Sequence, residues 1–245
     1  MKSWKLRDRV AAIALCESGR LLAALAREIV IFDPDSGEYQ PLAAPERNLP
    51  ENRSNDGKCD PRGRFWFGTM HDSGAQVCGA LYCVEQDGSY RQMETGLGIP
   101  NGISWSLDGC TMYLADSFFK SIYAYDFDLE CSAITNRHVF AKLPDASPAV
   151  PDGGTIDAKG FLWYAEWDGW RIVRYSPHGE IDRVIEMPVQ RPTSCVFGGP
   201  ELDKLFITSA IWDMGCDDLE SQPHAGGIFV VDVGVRGVVS AKYKR

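Results

Sequence analysis

One unit recurs along this chain, and it constrains the fold more than any other feature. The unit reads apolar strand, short Asp/Ser-Gly turn, apolar strand, at 11–25, 57–70, 102–117, 154–167 and 194–210. The turn glycines of the first four, Gly19, Gly63, Gly109 and Gly160, lie about 46 residues apart. The fifth turn falls near Asp203. A second strand pair follows each hairpin, so each unit predicts four antiparallel strands. A sandwich or jelly roll gives no reason for a fixed period of this length, whereas a propeller blade does. The expectation is an all-β chain, a single propeller domain over 1–245, with five blade units visible.

Composition narrows the partners. A net charge of −9 and a pI near 5.0 argue against nucleic acid, whose phosphates need a basic face. No apolar run approaches the roughly 20 residues that span a bilayer. Lys2, Lys5, Arg7 and Arg9 precede the apolar run 10–16, which is short for a signal peptide and lacks a small-residue cleavage site. A strand is the better reading there, and a cytoplasmic location the expectation. Eight scattered cysteines form no CxxC pair and read as reduced core residues. The histidines at 71, 138, 178 and 224 share no motif and read as solvated loop residues. No Gly-x-Ser-x-Gly nucleophile elbow is present.

The repeat also says where polar chemistry collects. The innermost strand of a blade lines the central channel, so its first residues lie at one mouth. The position eight residues before the turn glycine is Asn55, Asn101 and Asp152 in the second, third and fourth units, and Ala11 in the first. Three consecutive units thus aim amide or carboxylate oxygens at one point. Asp116 and Glu166, at the ends of second strands, fall on the same rim. Oxygen donors without histidine or cysteine suit a hard cation such as Ca2+ or Mg2+. Arg53 adds a planar donor fork at that mouth. Asn101-Gly102 and Asp152-Gly153 are also strong turn dipeptides, and each alone reads as a turn. The shared register favours the metal-site reading.

At these same residues the chain resembles the gluconolactonase, regucalcin and luciferin-regenerating-enzyme family. The matching stretches are Asn52-Arg-Ser-Asn-Asp-Gly-Lys58, 60–70, Ile99-Pro-Asn-Gly-Ile-Ser-Trp-Ser106, Val150-Pro-Asp-Gly153, 191–199 and 225–229. The resemblance implies a six-bladed β-propeller, with about one N-terminal blade lacking here, and one divalent cation, Ca2+ first, with Zn2+, Mg2+ or Mn2+ as alternatives. It implies Asn101 and Asp152 as metal ligands, Asp152 also as catalytic acid/base, and Arg53 and Asn55 as substrate contacts. The family's further Glu ligand sits in a more N-terminal blade. Glu17 imitates its motif but falls in the first hairpin turn, at the opposite mouth, and is not assigned as a ligand.

The activity implied is hydrolysis of a sugar lactone by water, a small-molecule reaction with no partner protein, membrane or nucleic acid. The alternatives are a calcium-binding propeller without turnover and an inactive, truncated fragment. With five units, the expected ring is open, with a wedge-shaped gap.

Overall fold

The computed structural model describes residues 3–245. Blade 1 holds β1 (Val10–Leu15), β2 (Leu21–Leu25), β3 (Ile29–Phe32) and β4 (Tyr39–Ala43). Blade 2 holds β5 (Asn52–Cys59), β6 (Phe65–His71), β7 (Gly79–Val84) and β8 (Tyr90–Leu97). Blade 3 holds β9 (Pro100–Trp105), β10 (Thr111–Asp116), β11 (Ser121–Asp128) and β12 (Ala133–Lys142). Blade 4 holds β13 (Val150–Ile156), β14 (Leu162–Trp167), β15 (Arg171–Tyr175) and β16 (Ile181–Glu186). Blade 5 holds β17 (Pro192–Gly198), β18 (Lys204–Ser209) and β19 (Ile228–Asp232), with the short α1 (Cys216–Ser221) between the last two. In every blade each strand pairs with its sequence neighbour. The run at 10–15 is a strand, as its short length implied.

The turn chemistry repeats as the sequence suggested. In each of the first four blades the turn glycine donates its N–H to the carbonyl three residues back, Gly63 to Asp60 at 2.8 Å and Gly160 to Asp157 at 2.9 Å. These glycines have φ between +70° (Gly109) and +83° (Gly19), a region other residues avoid. The aspartates of blades 2 and 4 do more. Asp60 accepts from Arg64 Nε at 2.6 Å and Trp66 Nε1 at 3.0 Å; Asp157 accepts from Arg174 Nη2 at 2.6 Å and Trp163 Nε1 at 3.0 Å. Both carboxylates are fully buried, and both are paired, as burial of a charge requires.

The core lies between blades. Leu22 and Ile29 of blade 1 meet Phe65 and Phe67 of blade 2; Trp66 and Leu81 meet Trp105 and Tyr125 of blade 3. Tyr113 and Ile122 of blade 3 meet Tyr164 and Val173 of blade 4, and Trp163 and Ile172 meet Phe197 and Ile207 of blade 5. A middle strand is therefore covered on both faces. β7 is buried at every position, which is why it reads as an unbroken apolar run rather than an alternation.

The innermost strands pack in chain order, β1 on β5, β5 on β9, β9 on β13 and β13 on β17. Among the described residues no comparable packing joins blade 5 to blade 1. Ile13 is 63% exposed on one side of that seam and Ile228 71% on the other. The chain is an all-β propeller of five blades, and a sixth is not among them. Blade 5 also departs from the expected four strands. After β19 the chain turns at Gly234 (φ +67°) and leaves the sheet, so 233–245 form a tail rather than a strand. The Ala158 N–H donates to Arg236 O in blade 4, the Tyr243 N–H to Leu15 O in blade 1, and the Lys244 N–H to Gly63 O in blade 2.

The cysteines only half follow expectation. Cys16, Cys59, Cys83 and Cys195 are buried, but Cys78, Cys110, Cys131 and Cys216 are exposed, and all eight are free thiols. No helix among the described residues is long and apolar enough to cross a membrane.

Candidate active site

All five innermost strands carry a β-bulge near the same end. In β5 the register slips between Ser54 and Gly57, in β9 between Asn101 and Ser104, and in β13 between Pro151 and Gly154. Shorter slips occur at 10–12 in β1 and 192–194 in β17. A bulge adds a residue and re-aims the side chains beside it. Asn55, Asn101 and Asp152 all sit in or at the edge of these slips. The Asn-Gly and Asp-Gly pairs are thus bulges inside strands, not turns. Their glycines answer to close approach. A Cβ on Gly102, which has φ +55°, would stand 2.2 Å from the Tyr164 ring and 2.7 Å from the Asp152 carbonyl oxygen.

These strand ends open onto a cavity of about 860 Å3 whose lining includes Arg53, Asn55, Asn101, Ser117, Asp152 and Trp167. All four residues named from the sequence line it. Three form a chain of hydrogen bonds across two blades. Arg53 Nη1 donates to Asn55 Oδ1 at 2.7 Å, Asn55 Nδ2 to Asn101 Oδ1 at 2.8 Å, and Asn101 Nδ2 to Ser117 Oγ at 2.8 Å. Ser117 Oγ donates onward to the Pro151 carbonyl at 2.6 Å, next to Asp152. At the mouth, Asp72 accepts from Arg53 Nε at 3.0 Å and from Arg9 Nη2 at 2.7 Å. Burial, then the nearby Arg9 charge, push the Arg53 pKa downward against the opposing pull of Asp72.

Asp152 is the least engaged member. Among the described residues no side chain donates to it, the Gly153 backbone N–H lies against it, and its carboxyl is held well above the usual range. Desolvation is the larger cause and the neighbouring Asp56 the second. Asp56 is raised by its own burial, against the opposing charge of Lys58, and Lys58 is lowered by burial, against Asp56.

Sequence reasoning missed Arg9, Ser117, Asp72, Asp56 and Lys58. The last two follow Asn55 in the same segment, and their charge inside a channel strand was a signal. His71, read as a solvated loop residue, ends β6 and lines the cavity. Asp116 and Glu166, expected on the rim, are buried and committed elsewhere. Asp116 accepts the N–H groups of Gly98 at 2.8 Å and Ile99 at 2.9 Å; Glu166 pairs with Arg171 at 2.7 Å. Glu17 lies in the first hairpin, where its N–H donates to Tyr243 O, and does not line the cavity.

Among the described residues no three His, Cys, Asp or Glu side chains gather in a metal-binding group. The oxygen donors at the cavity floor nonetheless fit a hard cation in kind. Asp152 brings a desolvated carboxyl to this cavity, and Asn101, whose Oδ1 accepts from Asn55 Nδ2, brings an amide oxygen to the same cavity.

The profile of the SMP-30/Gluconolactonase/LRE-like region matches residues 1–211. The chain belongs to this family. Regucalcin of Oryctolagus cuniculus is 34% identical over 241 residues, 96% of this chain and 80% of that protein. A luciferin-regenerating enzyme superposes at a TM-score of 0.92 with 32% identity, covering 99% of this chain and 84% of its own. The regucalcin of Agrobacterium tumefaciens, described as a calcium-binding protein, superposes at 0.93 with 29% identity, covering 98% and 81%. The two superpositions cover nearly the whole chain and so take in all five blades.

Proposed function

We propose that this gluconolactonase-like chain hydrolyses sugar lactones, with Asp152 as acid/base. The observation that carries the reading is the Asp152 carboxyl: desolvated, raised in pKa and open to a cavity beside a row of hydrogen-bonding groups. A carboxylate raised toward neutrality is suited to moving a proton at working pH. Asp152 takes the proton of the water that attacks the lactone carbonyl, and returns it to the alkoxide that leaves as the ring opens. Arg53 and Asn55 hold the sugar hydroxyls. Arg53 is suited to this because Asp72 and Asn55 fix its plane at the cavity wall. Asn101 and Asp152 would hold one divalent cation, Ca2+ first and Zn2+, Mg2+ or Mn2+ as alternatives, which when bound supplies Lewis-acid polarisation of the carbonyl.

The test is acid release from gluconolactone, xylonolactone and arabinolactone in the presence of each cation. We expect release above the spontaneous rate, and its loss in Asp152→Ala together with cation binding by calorimetry. Spontaneous rates throughout would end the lactonase reading. Cation binding without turnover would favour the second reading, a calcium-binding propeller, which the description of the Agrobacterium relative supports.

A further inference from the structure

The bulges that aim Asn101 and Asp152 leave backbone groups outside the strand ladders, in a channel where bare N–H and C=O groups are costly. Blade 2 supplies partners for two of them. Asp56 Oδ2 accepts the Gly102 N–H at 2.7 Å, one residue after Asn101, while Asp56 Oδ1 accepts the Gly57 N–H at 2.8 Å. Lys58 Nζ donates to the Gly154 carbonyl at 2.8 Å, two residues after Asp152, and reaches Ser104 Oγ at 3.4 Å. Neither Asp56 nor Lys58 lines the cavity. Two charges on one face of β5 thus reach across the channel, to blade 3 and past it to blade 4. Gly102 is held on its C-terminal side too, its carbonyl accepting from Tyr164 Oη at 2.8 Å.

We propose that Asp56 and Lys58 are positioning residues that staple the bulges of blades 3 and 4 and so set the direction of Asn101 and Asp152. Bonds from ionised groups are shorter and stronger than neutral ones, which suits them to holding irregular backbone still. The functional half of the proposal rests on the cavity's being the active site; the structural half does not. It also explains why a charged pair is kept in a channel that apolar side chains could fill at lower desolvation cost.

The test uses Asp56→Asn and Lys58→Met, with Asp60→Asn as a control at the far end of the same blade. Amide hydrogen exchange, Ca2+ calorimetry and lactone kinetics are read on each, well below its melting temperature. We expect Asp56→Asn to lose protection around 101–103 and Lys58→Met around 153–155. Both should weaken Ca2+ binding about 10-fold or more, and lower kcat with little change in KM. Asp60→Asn should lower Tm and leave the site amides and Ca2+ affinity alone. If either single variant fails to fold, the double variant, which leaves no unpaired charge, carries the test. Unchanged site protection in folded variants, or a loss spread evenly as in the control, would overturn the proposal. If the unmutated protein neither binds Ca2+ nor hydrolyses lactones, the functional reading alone falls, and the exchange pattern still decides whether the pair positions the bulges.

Discussion

Asp152 carries a cost that the rest of the cavity does not relieve. Its folded-state pKa is raised, so the folded chain holds that proton more tightly than the unfolded chain does. Below the ordinary carboxylate range both states are protonated and nothing is lost. As pH rises from there toward the raised folded value, the unfolded chain loses its proton first and stability falls. Above the folded value the penalty is complete. Asp152→Asn removes the charge and its slope. In chelator, Tm of Asp152→Asn should therefore exceed that of the unmutated protein at neutral pH, with the gap closing on acidification. Each kcal/mol relieved is worth about 2–4 °C in a chain of this size. Added Ca2+ should raise Tm of the unmutated protein and not of the variant. A gap that widens toward low pH would contradict the assignment of the raised carboxyl. At this scale much was legible beforehand. Asn55, Asn101 and Asp152 share a repeat register, Arg53 lies two residues before Asn55, and the structure puts all four at one cavity.

At the scale of the blade, the hairpin aspartate organises three strands at once. Asp157 is fully buried and accepts from Arg174 and Trp163, while Arg174 also donates to Asp182 Oδ2 at 2.6 Å on the outermost strand. The guanidinium lies over the Phe161 ring, 3.7 Å from its centroid. Asp157→Ala would leave a nearly buried guanidinium without its main partner, a change that costs about 3–5 kcal/mol. Chemical denaturation should report a loss of this size. Lactone turnover measured well below Tm should hold, because the hairpin lies at the other end of the blade from the cavity. The Asp-x-x-Gly spacing of this hairpin was plain in the sequence. Its arginine partner was not, because Arg174 comes from β15 and is brought beside the turn only by strand pairing.

Across the whole molecule, five blades pack in chain order and the tail 233–245 ties blades 4, 1 and 2 together from the hairpin side. Tyr243 is the anchor. It is fully buried with Cys16, Cys59 and Phe65, and its hydroxyl donates to the Glu85 carbonyl. Because blade 5 and blade 1 share no comparable sheet packing, this tail is the covalent continuation of blade 5 that reaches blade 1. Tyr243→Ala should cost about 3–5 kcal/mol as a large-to-small core change. It should also raise amide exchange in the blade 1 hairpin more than in the blade 3 hairpin. Equal effects on the two hairpins would show that the tail fills space without joining the blades.

The sequence alone determined the all-β class, the blade period, the hairpin turns and the shared address of Asn55, Asn101 and Asp152. Each of these is local or periodic, and spacing along the chain carries that kind of information. Tertiary structure decided the rest. The bulges form because one strand's residues must match its neighbour's, and no spacing within β5, β9 or β13 reveals that mismatch. Pairings such as Asp56 with Gly102, Lys58 with Gly154 and Asp72 with Arg9 join residues about a blade or more apart, across a channel that exists only once the blades are arranged. The last segment, read as a strand pair, gives one strand and a tail, because contacts with three other blades outweigh its strand propensity.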